Sequence, residues 1–350
     1  MDLLWMILLW KKKFLSPKRG SVERNYIFMN KGSGSSYNQS VTYWKQYQKF
    51  FSKEMQIDAE HMPTEEWMIW NNAHIHLDRM PAPDAPLKII FIHGAGGNGR
   101  LLAPYARMLQ TYGYEVVSPD LPPYGLSYTD SGESLDYQLW IDILNELIEQ
   151  ELKRDGKPVI LLGSSIGGML AYHTAVQSKQ VKGLIATTFV DTSEVKVRDQ
   201  LAPNKLISRL GGWCMNQFPA LTDTLQISVN KVSRMKWITN NAELTRLIMN
   251  DPHAAGTKIP LRLLRTFLNM KPVLKPQHFD LCPVLLVHPQ LDPMTPYHFS
   301  RPFYDHLKSR KESVILEGAG HFPIEQQGLE QMIAAVLAFL RTVEEELQLA

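Results

Sequence analysis

The sequence predicts an α/β fold, a mostly parallel sheet with helices on both faces. Three observations predict it. From Lys88 onward, short apolar runs alternate with amphipathic helical stretches, the pattern of successive βαβ units whose parallel strands must be covered on both sides. Glycine-rich polar segments follow several of those runs, at the carboxyl ends of the strands where such sheets place ligands. A chain of 350 residues, 44% of them hydrophobic, can also bury a large core.

The first 31 residues hold seven Lys or Arg against two acids, a net of +5; the whole chain is +2, so residues 32–350 carry −3. "MDLLWMILLW" is too short to span a bilayer, and its "KKK" lies behind the apolar run rather than ahead of it, unlike a signal peptide. Residues 1–36 are therefore read as a leader outside the fold: a disordered tail, an over-extended start with Met29 as initiator, or an interfacial membrane anchor. The expected location is cytoplasmic, with membrane contact through this leader or the cap described below.

From Tyr37 the chain becomes orderly. "VTYWKQYQKFFSKEM" has helical spacing, and "EEWMIW" and "AHIHLDRM" read as strands around an Asn-Asn turn. Then come "KIIFIHG" and a helix over 100–111, "YEVVSPD" and a helix over 134–153, "PVILLG" and a helix over 166–177, and "VKGLIATTFV". Residues 191–277 interrupt the series with no convincing strand. Unstructured loops of that length are uncommon, so the segment reads as a helical cap inserted between strands six and seven. The alternation resumes with "PVLLVHP", a helix near 296–308, "SVILEG" and a closing helix over 324–349. The core is thus residues 37–190 and 278–350.

Within "VILLGSSIGGMLAYHTA", two serines stand where a strand must turn into a helix. A serine there can simply cap the helix, but that leaves the glycines unexplained. Gly163, Ser165 and Gly167 fit G-x-S-x-G, in which a strained strand-to-helix turn exposes a nucleophilic serine between residues without a Cβ. Its partners are sought at other strand ends. Asp292, in "PVLLVHPQLDPMTP", and His321, in "SVILEGAGHFP", each lie just beyond a predicted strand. Asp191, after "GLIATTFV", is the alternative acid. The loop "FIHGAGGNG" supplies backbone N–H groups, with Ala95 and Ile166 the natural pair of donors for an oxyanion. Read instead as a phosphate loop, it has no following Lys-Ser/Thr.

Together, "HGAGG", "SPDLPPYGLS", "GSSIGG", "QLDPMTP" and "GAGHFP" resemble the α/β-hydrolase fold superfamily over about residues 65–345, and the overall look is similar to its monoacylglycerol-lipase-like and lysophospholipase-like serine esterases. The resemblance implies Ser165 as nucleophile, His321 as general base and acid, Asp292 orienting His321, and Ala95 and Ile166 as the oxyanion hole. It implies cleavage of carboxylic esters, of lipid or medium acyl type, through an acyl-enzyme and without cofactor or metal. Acyl transfer, small-ester or thioester hydrolysis and ligand binding without turnover stay open. Tyr124 stands where relatives carry His, and Pro289-Gln290 where many carry Gly. Epoxide hydrolases of this fold have an aspartate at the elbow, and proline iminopeptidases a Trp after the serine; here the residues are Ser165 and Ile166.

Residues 196–275 carry thirteen Lys or Arg and four acids, and Leu261, Leu264, Phe267 and Leu268 follow helical spacing. A basic, apolar-faced cap suits an acyl chain within and an anionic lipid surface or carboxylate product without; the alternative is that the charges are solvated faces and the apolar stripe packs on the core. The expected partner is a small-molecule or lipid ester, with no nucleic acid. His74 and His76 share a strand face, but no third metal ligand is evident and they read as surface residues of the hairpin. Cys214 and Cys282 read as buried thiols, too few for a disulfide framework.

Overall fold

A computed structural model describes residues 35–130 and 134–349, so the readings made for residues 1–34 lie outside the described residues. In chain order the strands are β1 (Thr64–Trp70), β2 (Ala73–Met80), β3 (Lys88–Ile92), β4 (Glu115–Pro119), the two-residue β5 (Tyr128–Thr129), β6 (Val159–Gly163), β7 (Gly183–Ala186), β8 (Gln226–Ser228), β9 (Lys258–Pro260), β10 (Val284–Pro289) and β11 (Lys311–Leu316). The main sheet runs β1-β2-β4-β3-β6-β7-β10-β11, with β5 beside β2. β1 and β2 are antiparallel to their neighbours, and every pair from β4 to β11 is parallel. The antiparallel start follows from the hairpin: Trp70 pairs with Ala73 across Asn71 and Asn72, and Asn71 takes φ 50, which asparagine tolerates.

Helices follow their strands as the periodicity predicts. The α-helices of six or more residues are α1 (Gly99–Thr111), α2 (Tyr137–Asp155) and α3 (Ile166–Ser178), then, beyond residue 191, α4 (Val195–Leu201), α5 (Gly212–Gln217), α6 (Ala242–Asn250) and α7 (Leu261–Asn269), and finally α8 (Tyr297–His306) and α9 (Gln326–Leu349). Local chemistry sets their ends. Asn98 Oδ1 accepts the Leu101 N–H at 2.8 Å and Asp136 Oδ1 the Leu139 N–H at 3.0 Å, capping α1 and α2, and Gly156 ends α2 at φ 73. The central strands β3, β4, β6, β7 and β10 are buried along their whole length. The fold is the α/β-hydrolase fold.

Three sequence expectations need correction here. Residues 191–277 do contain strands: β8 and β9 pair antiparallel, Ile227 opposite Ile259. Three residues each are too few for alternation to register in sequence. The basic residues of this segment are also less free than their number suggests. Arg209 pairs with Asp199 at 2.9 Å, Arg262 with Asp136 at 2.8 Å and Arg265 with Asp223 at 2.5 Å, tying helix to helix and helix to core. Cys282 is buried but Cys214 is only half-buried.

His76 is a larger correction. It is fully buried, not on the surface, with Nε2 at 2.8 Å from Glu65 and Nδ1 at 3.4 Å from Asp120. His74, by contrast, stays half-buried and stacks on Tyr128. Glu65, His76 and Asp78 lie close enough to hold a metal, but their charges are already matched. Arg100 binds Asp78 through two bonds of 2.6 and 2.8 Å, and His76 lies between the other two acids. Burial alone would lower the His76 pKa, yet the hydrogen bonds of Asp120 and Glu65 and the charges of Asp120 and Asp78 raise it to about 10. Since that value lies above the ordinary 6.5, its stabilisation is whole below pH 6.5 and disappears as pH rises through about 10. Urea unfolding between pH 7 and 10 is expected to show stability falling with pH, and His76→Gln to flatten that part of the profile.

Candidate active site

β6 ends at Gly163 and α3 begins at Ile166, which leaves two residues to reverse direction. Ser165 absorbs the strain at φ 56, ψ −126, a left-handed conformation that costs a residue with a Cβ. The glycines are required by contact. A Cβ on Gly163 would run into the Gly167 carbonyl, and one on Gly167 would lie 2.5 Å from the Ile92 carbonyl. The spacing read from the sequence is therefore steric: strand, loop and helix pack backbone to backbone around the serine.

Ser165 is 6% exposed, and Ser164 donates its N–H to the Ile92 carbonyl at 2.9 Å, on the strand that leads into the glycine loop. That loop lies against the serine, for a Cβ on Gly94 would sit 2.7 Å from the Ser165 Cβ. Ala95 follows Gly94, and Ile166 is the first residue of α3, where an N–H lacks an intrahelical acceptor. Two threonines at the end of β7 hold the strained residue on both sides. The Ser165 N–H donates to Thr187 Oγ1 at 2.8 Å, and Thr188 Oγ1 donates to the Ser165 carbonyl at 3.0 Å. Sequence reading missed both, because "ATTFV" reads only as the end of a strand; β-branched hydroxyls immediately beyond the strand beside the elbow were the available signal. Thr187→Val leaves a buried N–H unpaired, and is expected to cost about 1–3 kcal/mol of stability and to slow reaction of Ser165 with a fluorophosphonate, whereas Thr187→Ser retains both.

Asp292 and His321 come together at the ends of β10 and β11. The bond from His321 Nδ1 to Asp292 Oδ2 is 2.8 Å, and both side chains are buried. Asp292 also accepts the N–H groups of Met294 and Thr295 at 2.8 Å each and the Thr295 hydroxyl at 2.6 Å. Burial pushes the carboxyl up, but the charge and hydrogen bond of His321, with those from Thr295, outweigh it and hold the group well below the usual carboxylate range. An ionised Asp292 fixes the proton on Nδ1 and leaves Nε2 as the basic nitrogen. His321 Nε2 is buried and has no hydrogen-bond partner among the described residues. Asp191 stands apart from this pair: its Oδ1 accepts the Ser193 N–H at 2.9 Å in a local turn.

A further histidine joins the two halves. His288 on β10 is fully buried and bonds through Nδ1 to the Thr187 carbonyl at 3.1 Å, the residue that holds Ser165. Burial lowers its pKa to about 4, so it is neutral at pH 7 and adds no charge beside His321. In the glycine loop His93 is likewise neutral, donating to the Gly94 carbonyl at 2.7 Å and accepting the Leu121 N–H at 2.9 Å.

The model of the serine aminopeptidase S33 family matches residues 83–326, a span that contains all of these residues. The chain belongs to that family. Among curated relatives, this S33 hydrolase is 31% identical over 121 residues to the phospholipase YtpA of Bacillus subtilis, covering 34% of this chain and 46% of that one. It is 23% identical over 254 residues to a Mycoplasma genitalium protein named as an esterase/lipase, covering 69% and 86%. Among solved structures it resembles a soluble variant of the monoglyceride lipase of Saccharomyces cerevisiae, with a TM-score of 0.67 and 17% identity over 84% of this chain and 98% of that one. The monoacylglycerol lipase of Paleococcus ferrophilus superposes with a TM-score of 0.62 and 19% identity, covering 77% and 99%. The S33 hydrolase thus shares the α/β-hydrolase fold with these structures. Among its described residues no helix is long and apolar enough to cross a membrane.

Proposed function

We propose that the chain hydrolyses carboxylic esters through an acyl-enzyme on Ser165, with His321 as base and acid, Asp292 orienting it, and the N–H groups of Ala95 and Ile166 receiving the oxyanion. The observation that carries this reading is the strained Ser165 turn with the Gly94–Ala95 loop against its side chain. A turn of this kind holds a hydroxyl at a helix N-terminus beside backbone donors, the arrangement that acyl transfer requires. His321 Nε2 takes the Ser165 proton as Oγ attacks the acyl carbonyl, and returns it to the departing alcohol. Water then repeats both steps on the acyl-enzyme, with Asp292 balancing the imidazolium each time.

The ester is of lipid or medium acyl type. The relatives named above as lipases and a phospholipase support this, as does the surface beyond residue 191, where Leu206, Leu210 and Trp213 are 72, 37 and 45% exposed at spacings of four and three residues. Three exposed apolar side chains along one run of π-helix (Ile207–Gly211) and α5, next to Lys205, suit contact with an anionic lipid surface. Turnover of p-nitrophenyl acetate, butyrate and octanoate, with and without anionic vesicles, tests the reading. Octanoate is expected to give the highest kcat/KM, and vesicles to raise it at low salt only. A preference for acetate independent of vesicles would make the chain a small-ester hydrolase, and faster cleavage of an aminoacyl p-nitroanilide than of any ester would make it a peptidase.

A further inference from the structure

Residues 35–57 precede the span shared with the S33 family and lie across one side of the fold. A 3₁₀ helix, Tyr43–Phe50, forms the middle of this segment. The segment is anchored by buried aromatic residues: Tyr37 is 1% exposed, Trp44 4% and Tyr47 2%. The Arg100 guanidinium lies 4.9 Å from the Tyr37 ring centre and 4.8 Å from that of Trp44, and Trp44 Nε1 donates to the Tyr37 carbonyl at 2.9 Å.

Each of its two buried tyrosine hydroxyls ends on a carboxylate. Tyr37 donates to Asp120 Oδ2 at 2.9 Å, and Tyr47 to Asp251 Oδ2 at 2.5 Å. Both carboxylates support the glycine loop that ends at Asn98 and Gly99. Asp120 Oδ1 accepts the Gly99 N–H at 2.6 Å. Asp251 Oδ1 accepts the His253 N–H at 2.8 Å, and the His253 carbonyl accepts from Asn98 Nδ2 at 3.0 Å and from the Gly125 N–H at 2.8 Å. Asp251 also accepts the N–H groups of Ala254 and Gly256 through its backbone carbonyl, shaping the turn whose Ala255 lies against Gly96. A Cβ on Gly96 would sit 2.9 Å from the Ala255 Cβ. The loop bearing Ala95 is thus held between Asp120 on one side and the 251–256 turn on the other, and the N-terminal segment is bonded to both.

We propose that Tyr37 and Tyr47 are positioning residues for the oxyanion loop, tying the N-terminal segment to the two carboxylates that hold residues 94–99 in place. The proposal rests on the ester reading above, because it assigns the loop its task of stabilising charge in the transition state. Donors placed for the oxyanion, not for the ground-state carbonyl, act on kcat rather than on KM. Both phenols are pushed up by burial and by the neighbouring carboxylates, so each remains an O–H donor across the working pH range.

The test compares Tyr37→Phe, Tyr47→Phe and the double variant with the parent chain on p-nitrophenyl butyrate, each rate normalised to serine titrated by a fluorophosphonate. Each single variant is expected to lower kcat per titrated site about tenfold, the effect of shifting reacting groups by a fraction of an ångström, with KM changing less than twofold. The double variant is expected to fall short of the product of the singles, since both hydroxyls act on one loop. Affinity for a trifluoromethyl ketone should fall in step with kcat. Tyr43→Phe, on the same segment, serves as the control and is expected to keep the parental kcat. A lower titrated fraction with parental kcat per site would show a structural role only and overturn the proposal, as would parental kcat in all variants. A parent chain that titrates no serine would overturn the ester reading first, and this inference with it.

Discussion

Ser165→Ala is expected to abolish ester turnover by roughly 10⁶-fold, the scale on which a serine hydrolase loses rate with its nucleophile, and to remove fluorophosphonate labelling. Ser164→Ala is expected to leave labelling intact. The two serines are adjacent, but only Ser165 has the left-handed backbone that turns its side chain out of the strand-to-helix corner. Ser164 belongs to the strand side of that corner, with its N–H on the Ile92 carbonyl and its own carbonyl accepting from Gly167 at 2.8 Å. Labelling that survives Ser165→Ala and vanishes with Ser164→Ala would reverse the assignment.

Asp292→Asn is expected to lower turnover about 10⁴-fold, because an amide cannot accept from Nδ1 as the carboxylate does and the imidazole loses its working tautomer. The four hydrogen bonds that Asp292 accepts, from His321, Met294 and both donors of Thr295, keep it ionised and fixed. Asp191→Asn is expected to leave the rate near that of the parent, since among the described residues Asp191 bonds within its own turn. The pair is checked by kcat/KM with folding monitored by circular dichroism. Collapse in Asp191→Asn with Asp292→Asn near normal would move the acid to β7.

Fold and candidate site were legible to the extent that their signals are local. Alternating apolar runs and helical periods reflect which face of an element is buried, so β3, β4, β6, β7 and β10 could be read from the order of residues alone. Gly163 could be read because the packing that requires it lies within a few residues of the turn, and Gly167 only through the motif spacing, for the carbonyl that excludes its Cβ is that of Ile92. His76 could not. Its burial depends on Glu65 across the hairpin and on Asp120 at the end of β4, and a histidine on a strand carries no mark of what it will face. The same limit applied to Arg262 and Arg265, counted as a basic surface until Asp136 and Asp223 came beside them. Tyr47 and Asp251 are 204 residues apart, and β8 and β9 are joined by a register that three-residue strands cannot announce. Long-range pairing of polar groups is decided by the assembled fold.

In the proposed reaction an acyl group passes through Ser165 at every turnover. Mixing the chain with p-nitrophenyl butyrate, quenching in acid within the first turnover and measuring the intact and peptide masses tests this most directly. A burst of about one p-nitrophenol per chain is expected, with a butyryl adduct on Ser165 in the peptide containing "LLGSSIGG", absent from Ser165→Ala. Steady turnover with no burst and no adduct, or an adduct on another residue, would contradict it.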